Sequence, residues 1–370
     1  MKYSTMSFCN KFFLILAVLA AGQAQAVGKA GAASRAPAAE PGRYFYEGDG
    51  KIDLGGKRGT LSVTYRGNDG TYSTASLKKI DTFFGMPSAL LGEGISLRLI
   101  AMIDYLQDKF APGKTLTLRS GYRSPEYNTS LRKKGKLAAK TSYHMEGMAA
   151  DLVFPGASPQ NIWDYVKNLD CCGIGIYGGK EVHLDSGKPR FWTAETALPK
   201  EDVPPQNRNI YLAADKDIYY PGETLRLFFS GVSDYPFGVK VPFKLKKGDR
   251  TIASFTPEFK KEISGKECVS LDEKRQARLI TWKIPEDLNA GPPQSRPLAA
   301  EPKRANVMTA STLSIEESRG LAPEFFKAPD GKLNVEVEFC DPVTEMMPPS
   351  VASKPFVIKT RTAPSPRPPR

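Results

Sequence analysis

Histidine occurs only twice in this 370-residue chain, as His144 and His183, and each is followed at short range by an aspartate, Asp151 and Asp185 respectively. Two imidazoles and a carboxylate make the donor set of a catalytic zinc site, which takes three protein ligands and keeps a further position for water. His144, Asp151 and His183 supply that set. Gly147 lies between the first two, with Ala149 and Ala150 just before the aspartate. Such small residues suit a turn that feeds a strand close to a metal. A histidine and an aspartate at this spacing say little by themselves, since an isolated histidine is usually a plain surface or core residue. The weight rests on both histidines having the same carboxylate company.

The elements that must position these residues are readable from periodicity. Lys51–Leu54 followed by Thr60–Arg66 alternates apolar and polar residues, which predicts a hairpin. Ile95, Leu99, Met102, Ile103, Leu106 and Phe110 recur at steps of three and four, which predicts a helix ended by Ala111-Pro-Gly113. Thr115–Leu118 reads as a short strand that delivers Arg119 and Arg123, and Pro125 then opens a helix. A guanidinium at such a strand-to-helix turn is held rigidly enough to meet a substrate oxygen, or to form a structural ion pair. Pro159–Leu169 reads as an amphipathic helix, and Gly173–Tyr177 with Glu181–Leu184 as a hairpin turning at Gly178-Gly179. Side chains alternate along a strand, so Glu181, His183 and Asp185 are expected on one face.

The residues quoted carry a family likeness. Ser120-Gly-Tyr-Arg-Ser-Pro-Glu-Tyr-Asn128, then Ser142-x-His-x-x-Gly-x-Ala-x-Asp151, then Val182-His-x-Asp185, resembles the zinc D-Ala-D-Ala peptidase superfamily, in its murein endopeptidase K-like branch. The likeness covers roughly residues 43–195 and its motifs come in the family's order. It implies an α+β fold of the Hedgehog/D-Ala-D-Ala-peptidase type, Zn2+ on His144, Asp151 and His183, and Arg123 at the family's arginine position. It also implies peptidoglycan peptides as substrate, cut as an endopeptidase or a carboxypeptidase. The chain departs from some relatives that carry the catalytic acid three residues before the last histidine, where Lys180 stands here. Glu181 is the favoured general base, and Asp185 is either the base itself or the residue that orients His183. Because the superfamily's fold also serves zinc-containing signalling proteins, a non-enzymatic zinc protein that binds cell wall is the alternative.

Residues 1–26 read as a secretory signal: Lys2 and Lys11, an apolar run from Phe12 to Ala21, and an Ala24-Gln-Ala26 cleavage site. A periplasmic or secreted location follows, and with it an oxidising environment for Cys171, Cys172, Cys268 and Cys340. Adjacent Cys171 and Cys172 are poorly spaced for pairing with each other, whereas Cys268 and Cys340 could staple two strands. Residues 27–42 read as an Ala/Gly/Pro linker and 43–198 as the zinc domain, expected to fold and bind metal alone. Another linker follows at Leu198–Pro205.

Residues 205–361 show short alternating runs: Ile210–Leu212, Leu225–Phe229, Val239–Leu245, Thr251–Phe255, Leu279–Trp282, Leu333–Phe339 and Pro355–Ile358. About seven strands with turns between them predict an immunoglobulin-like β-sandwich, interrupted by a Pro/Ala-rich loop at Asn289–Arg304. Residues 362–370 form a basic Pro-rich tail. The formal charge of +12 favours anionic wall polymers or membrane surfaces as partners. No motif of a nucleic-acid binder is present, which argues against that class.

Overall fold

In the computed structural model, the residues described are 42–87, 94–135, 139–197, 206–260, 267–286, 331–340 and 345–359. The expected signal, the first linker up to residue 41, the Leu198–Pro205 linker, the Asn289–Arg304 loop and the basic tail lie outside them. Among the described residues no helix is long and apolar enough to cross a membrane.

The first part of the chain runs β1 (Lys51–Gly56), β2 (Gly59–Thr64), α1 (Thr74–Phe84), α2 (Leu97–Phe110), β3 (Leu116–Ser120) and α3 (Pro125–Lys133). A single-turn 3-10 helix (Tyr143–Glu146) precedes β4 (Ala149–Val153), and α4 (Pro159–Leu169), β5 (Gly173–Ile176), β6 (Val182–Asp185) and β7 (Arg190–Trp192) complete it. The predicted hairpin, helices and ligand-bearing strands are present. Helix α1, in a stretch the sequence reading passed over, is opened by Ser73, whose hydroxyl accepts from Ser76 N, and closed by Gly85 at φ 84°.

The strands form one mixed sheet in the order β2-β1-β3-β4-β6-β5-β7. Alternation gives its central strands two faces of different character. Ala150 and Leu152 of β4, Ile174 of β5, and Val182 and Leu184 of β6 join a core with Leu99, Ile103 and Leu106 of α2 and Ile162 and Val166 of α4. The residues between them, Asp151, Gly175 and His183, fall on the opposite face. The fold of this part is therefore α+β around a large sheet.

The second part contributes β8 (Tyr211–Ala214), β9 (Ile218–Tyr219), β10 (Thr224–Ser230), β11 (Phe237–Lys240), β12 (Phe243–Lys247), β13 (Arg250–Phe255) and β14 (Cys268–Leu271). It continues with α5 (Lys274–Arg278), β15 (Ile280–Lys283), β16 (Asn334–Glu338), β17 (Ser350–Ala352) and β18 (Val357–Ile358). Its larger sheets run β13-β12-β16-β17 and β15-β10-β8, over a core that includes Leu227, Phe229, Phe243, Leu245, Val335 and Phe356. The predicted run Val239–Leu245 is divided into β11 and β12 at Pro242, which has no amide to give the ladder.

Two disulfides are formed. Cys268–Cys340 matches the expectation. Cys171–Cys172 corrects it: these neighbours, 3.8 Å apart at Cα, are bonded to each other. They sit between α4 and β5, just after Asp170 at φ 49°.

The two parts share a buried seam. Tyr143, Met148 and Ala149 from the turn before β4 pack with Tyr211, Ala213 and Phe228 of β8 and β10. Beside it Arg98 of α2 donates to Ala214 O at 2.8 Å and to Asp217 Oδ1 at 2.5 Å. Arg98 is only 5% exposed, and removing one member of a buried pair strands the other charge. Arg98→Ala should therefore lower the stability of the full chain by about 3–5 kcal/mol, read by urea unfolding. An unchanged midpoint would show that the seam contributes nothing and that the first part stands alone.

Candidate metal centre

Each candidate ligand is delivered by a local device. In the single-turn helix, Met145 N donates to Ser142 O at 2.9 Å, and Met148 N closes the loop on Tyr143 O at 3.0 Å. Gly147 ends this turn at φ 68°, a left-handed conformation that costs glycine nothing. His144 is thereby aimed under the sheet, 1% exposed. Asp151 follows on β4 and lies directly opposite His183 on β6 in an antiparallel pair, and opposite Ser120 of β3. Residues so paired place their side chains together on one face.

Strand β5 makes room for the neighbours of His183. Gly175 and Gly173 pair with His183 and Asp185. A Cβ on Gly175 would lie 2.2 Å from the Trp192 ring, and one on Gly173 2.2 Å from Asp185 Oδ2. The Trp192 ring stands 5.1 Å from that of His183.

The hydrogen bonds fix which nitrogen of each ring carries a proton. His144 Nδ1 lies 2.7 Å from Gly121 O, and a carbonyl only accepts, so Nδ1 is the donor. His183 Nε2 lies 3.1 Å from Asp185 Oδ2. Asp185 is fully buried. Burial opposes its charge, but Arg190 and His183 outweigh this and hold its pKa at about 2. Its carboxylate therefore accepts, and His183 Nε2 donates. The lone pairs on His144 Nε2 and His183 Nδ1 are left facing each other at 3.2 Å. Asp151 Oδ1 stands 3.3 Å from the first and 3.0 Å from the second.

In these tautomers three acceptor atoms converge, an arrangement that a cation satisfies. Burial opposes charge on both rings. On His144 it prevails and lowers the pKa; on His183 the carboxylates of Asp151 and Asp185 overcome it and raise the pKa. For Asp151, burial is outweighed by His144 and His183, and its pKa stays well below the usual carboxylate range. The donor set of two nitrogens and one carboxylate oxygen fits a divalent metal ion.

Arg123 stands beside this group. Its Nη2 meets Asp151 Oδ2 at 2.5 Å and its Nε donates to Ser120 Oγ at 2.9 Å. Arg119 is exposed. Asp185 accepts from Arg190 Nη2 at 2.8 Å and from Gly187 N at 2.9 Å, so its lone pairs are committed behind His183. Glu181 precedes β6, and its carboxylate lies near Gly179, 3.1 Å from where a Cβ on that glycine would be. A cavity of about 270 Å3 opens over the cluster, lined by Arg123, Tyr143, Tyr177, Arg190 and Trp192 as well as the three ligands. Glu181 is not among its lining residues.

Tyr177, Arg190 and Trp192 were missed by the sequence reading. Trp192 Nε1 donates to Tyr177 Oη at 2.8 Å, and Arg190 lies 4.8 Å from both the Tyr143 and Trp192 rings. Their signal was the alternation of Arg190-Phe-Trp192 immediately after the His183 strand, which puts Arg190 and Trp192 on one face. The purified chain should hold about one equivalent of divalent metal, and His183→Ala should lose most of it by elemental analysis. Unchanged metal content in that variant would reject the site.

Comparison with known proteins agrees in place. The family model for peptidoglycan L,D-endopeptidase MepK matches residues 57–192, a range that includes all three ligands, Arg123 and Trp192. The peptidoglycan L,D-endopeptidase MepK of Escherichia coli is 33% identical over 122 residues, covering 33% of this chain and 67% of that protein. The protein of the same name from Shigella flexneri matches equally. A probable peptidoglycan L,D-endopeptidase MepK of Haemophilus influenzae is 33% identical over 73 residues, 20% of this chain and 39% of that protein. No solved structure matches the chain. With the ligand cluster inside the matched range and two thirds of the Escherichia coli relative covered, the chain belongs to the peptidoglycan L,D-endopeptidase MepK family.

Proposed function

We propose that the chain is an exported, zinc-dependent murein peptidase that hydrolyses peptide bonds in peptidoglycan cross-links or stem peptides. The observation that carries this reading is the triangle of His144 Nε2, Asp151 Oδ1 and His183 Nδ1, with edges of 3.0–3.3 Å. Four ligands at zinc–nitrogen distances in a tetrahedron are about 3.3 Å apart, so the triangle has the size of one face of a zinc site. Bound zinc supplies Lewis-acid polarisation of a peptide carbonyl and activation of water near neutral pH. The relatives' name, peptidoglycan L,D-endopeptidase, supports wall peptides as substrate, with the carboxypeptidase mode as a variant of the same chemistry.

The chain's own groups have separable tasks. Gly121 O and Asp185 hold the two imidazoles in their ligating tautomers. Arg123, fixed by Ser120 and Asp151, presents its remaining N–H groups to a substrate carbonyl or carboxylate. Tyr177 Oη accepts from Trp192 and keeps its own proton to donate toward the cavity. Glu181 is proposed as the general base, reaching from the rim of the cavity by rotation of its side chain, since Asp185 is committed to His183 and Arg190. The second part of the chain is proposed as an immunoglobulin-like β-sandwich accessory domain, beginning near residue 205. The basic tail is proposed to favour anionic wall or membrane surfaces.

One observation favours a second reading, a zinc-containing wall-binding or assembly protein without turnover. Among the described residues, no carboxylate other than Asp151 lines the cavity. Glu181→Gln separates the readings. If Glu181 is the base, release of fragments from purified wall, read by mass spectrometry, should fall by roughly 100-fold or more with metal content unchanged. Full activity in that variant, with Asp185→Asn inactive yet metal-loaded, would transfer the role to Asp185. A wild-type chain with full zinc that releases nothing from any wall would establish the binding protein.

A further inference from the structure

A second group of carboxylates lies away from the cavity. Asp104 and Asp108 are one helical turn apart on α2, and Asp49 reaches them from the segment before β1. One oxygen from each lies within 4.8 Å of the others. That limit has physical content, because three oxygens each about 2.4 Å from a common cation stand at most about 4.8 Å apart.

Such a cluster could be a solvated acidic face, but Asp104 is not solvated. It is fully buried. Its Oδ2 accepts from Gly50 N at 2.9 Å and from Tyr65 Oη at 2.7 Å. Its Oδ1 has no hydrogen-bond partner and is shut off from solvent. Burial is the main cause that raises its pKa to about 6, with Asp108 and Asp49 adding to it. A buried carboxyl oxygen with no hydrogen-bond partner is costly.

The orphan oxygen lies beside Asp108. An ideal Cβ on Gly48 would lie 2.2 Å from Asp104 Oδ1 and 2.6 Å from Asp108 Oδ2, so both oxygens pack against the same glycine, and Asp108 Oδ2 also accepts from Asp49 N at 2.9 Å. Like charges one turn apart destabilise a helix, the more so towards its C-terminal end. Lys51 meets the cluster from the solvent side, its Nζ donating to Asp49 Oδ2 at 3.0 Å.

We propose that Asp49, Asp104 and Asp108 bind a hard divalent cation of the calcium class, fastening the segment before β1 to α2. An all-oxygen donor set with flexible, partly exposed members selects calcium over zinc and over the stricter magnesium. The fastened segment also reaches the second part of the chain: Tyr44 Oη donates to Asp215 O at 3.1 Å, and Phe45 N to Asp217 Oδ2 at 3.1 Å. Cation binding would therefore stiffen the junction as well as the helix.

The test uses the full, zinc-loaded chain without chelator. Calcium titrated by calorimetry should bind at about one equivalent, with Kd on the order of 10⁻³ M or tighter, and raise Tm by a few degrees at saturation. Asp108→Asn and Asp49→Asn, both at exposed positions, should weaken calcium binding about tenfold or more and abolish the shift, with zinc content unchanged. Gly48→Ala should do the same, because the added Cβ would displace Asp104 Oδ1 and Asp108 Oδ2. Absence of heat and of a Tm shift in wild type overturns the proposal. So does a shift that persists in both aspartate variants, or an equal response to magnesium.

Discussion

Two imidazole lone pairs and a carboxylate oxygen are held within 3.3 Å of one another, and the larger sheet is built so that they cannot move apart. Asp151 and His183 are cross-strand partners at its centre. His144 is locked by Gly121 O, on the turn that follows β3. Moving any one of the three would break a ladder or leave a buried polar group without a partner. The apolar face of the same strands, packed on α2 and α4, supplies the rigidity. With both rings in the tautomers that Gly121 O and Asp185 favour, the three acceptors face one another, and a bound cation would offset their repulsion.

The second part of the chain takes a share in that constraint. Glu146, two residues beyond His144, accepts from Gly231 N at 2.9 Å and lies 3.6 Å from Arg278. Tyr143, the residue before His144, is buried in the seam with Tyr211 and Phe228. The ligand turn is therefore gripped on one side by the sheet and on the other by β10 and α5. A short 3-10 turn has poor internal hydrogen bonding, so external contacts of this kind decide how tightly it is held. The expectation that the first part folds alone rested on the candidate ligands and the family likeness lying there; the seam adds packing across that boundary next to His144.

What could be read from the sequence was what depends on local pattern. The helix Pro159–Leu169 was legible because a serine cap and a proline at its first turn precede a clear apolar stripe. That His144, Asp151 and His183 come together was legible because histidine is so rare in the chain. Partnerships set by tertiary contact were not legible. Asp185 could be named, but that its lone pairs are used by His183, Arg190 and Gly187 depends on a bend in the chain after β6. Strand parity put Glu181 on the face of His183, but Glu181 precedes β6 and its carboxylate lies near Gly179, outside the cavity lining. The orphan oxygen of Asp104 is likewise invisible to periodicity, since the helical pattern counts the apolar face and not the acid buried beside it.

The charge balance of the site bears on what enters it. Each aspartate beside a histidine has its own guanidinium: Arg123 meets Asp151 at 2.5 Å and Arg190 meets Asp185 at 2.8 Å. Two carboxylates and two guanidiniums cancel, and the imidazoles in their ligating tautomers are neutral. A bound dication then leaves its two positive charges without a counter-charge among these groups, beneath a cavity walled by Tyr143, Tyr177 and Trp192. Low-dielectric walls strengthen the attraction such a centre exerts on an anion. On the proposed function, a wall peptide bearing a free carboxylate close to the bond to be cut is the ligand this field selects. The N–H groups of Arg123 that are not engaged by Ser120 or Asp151 are where that carboxylate would be held.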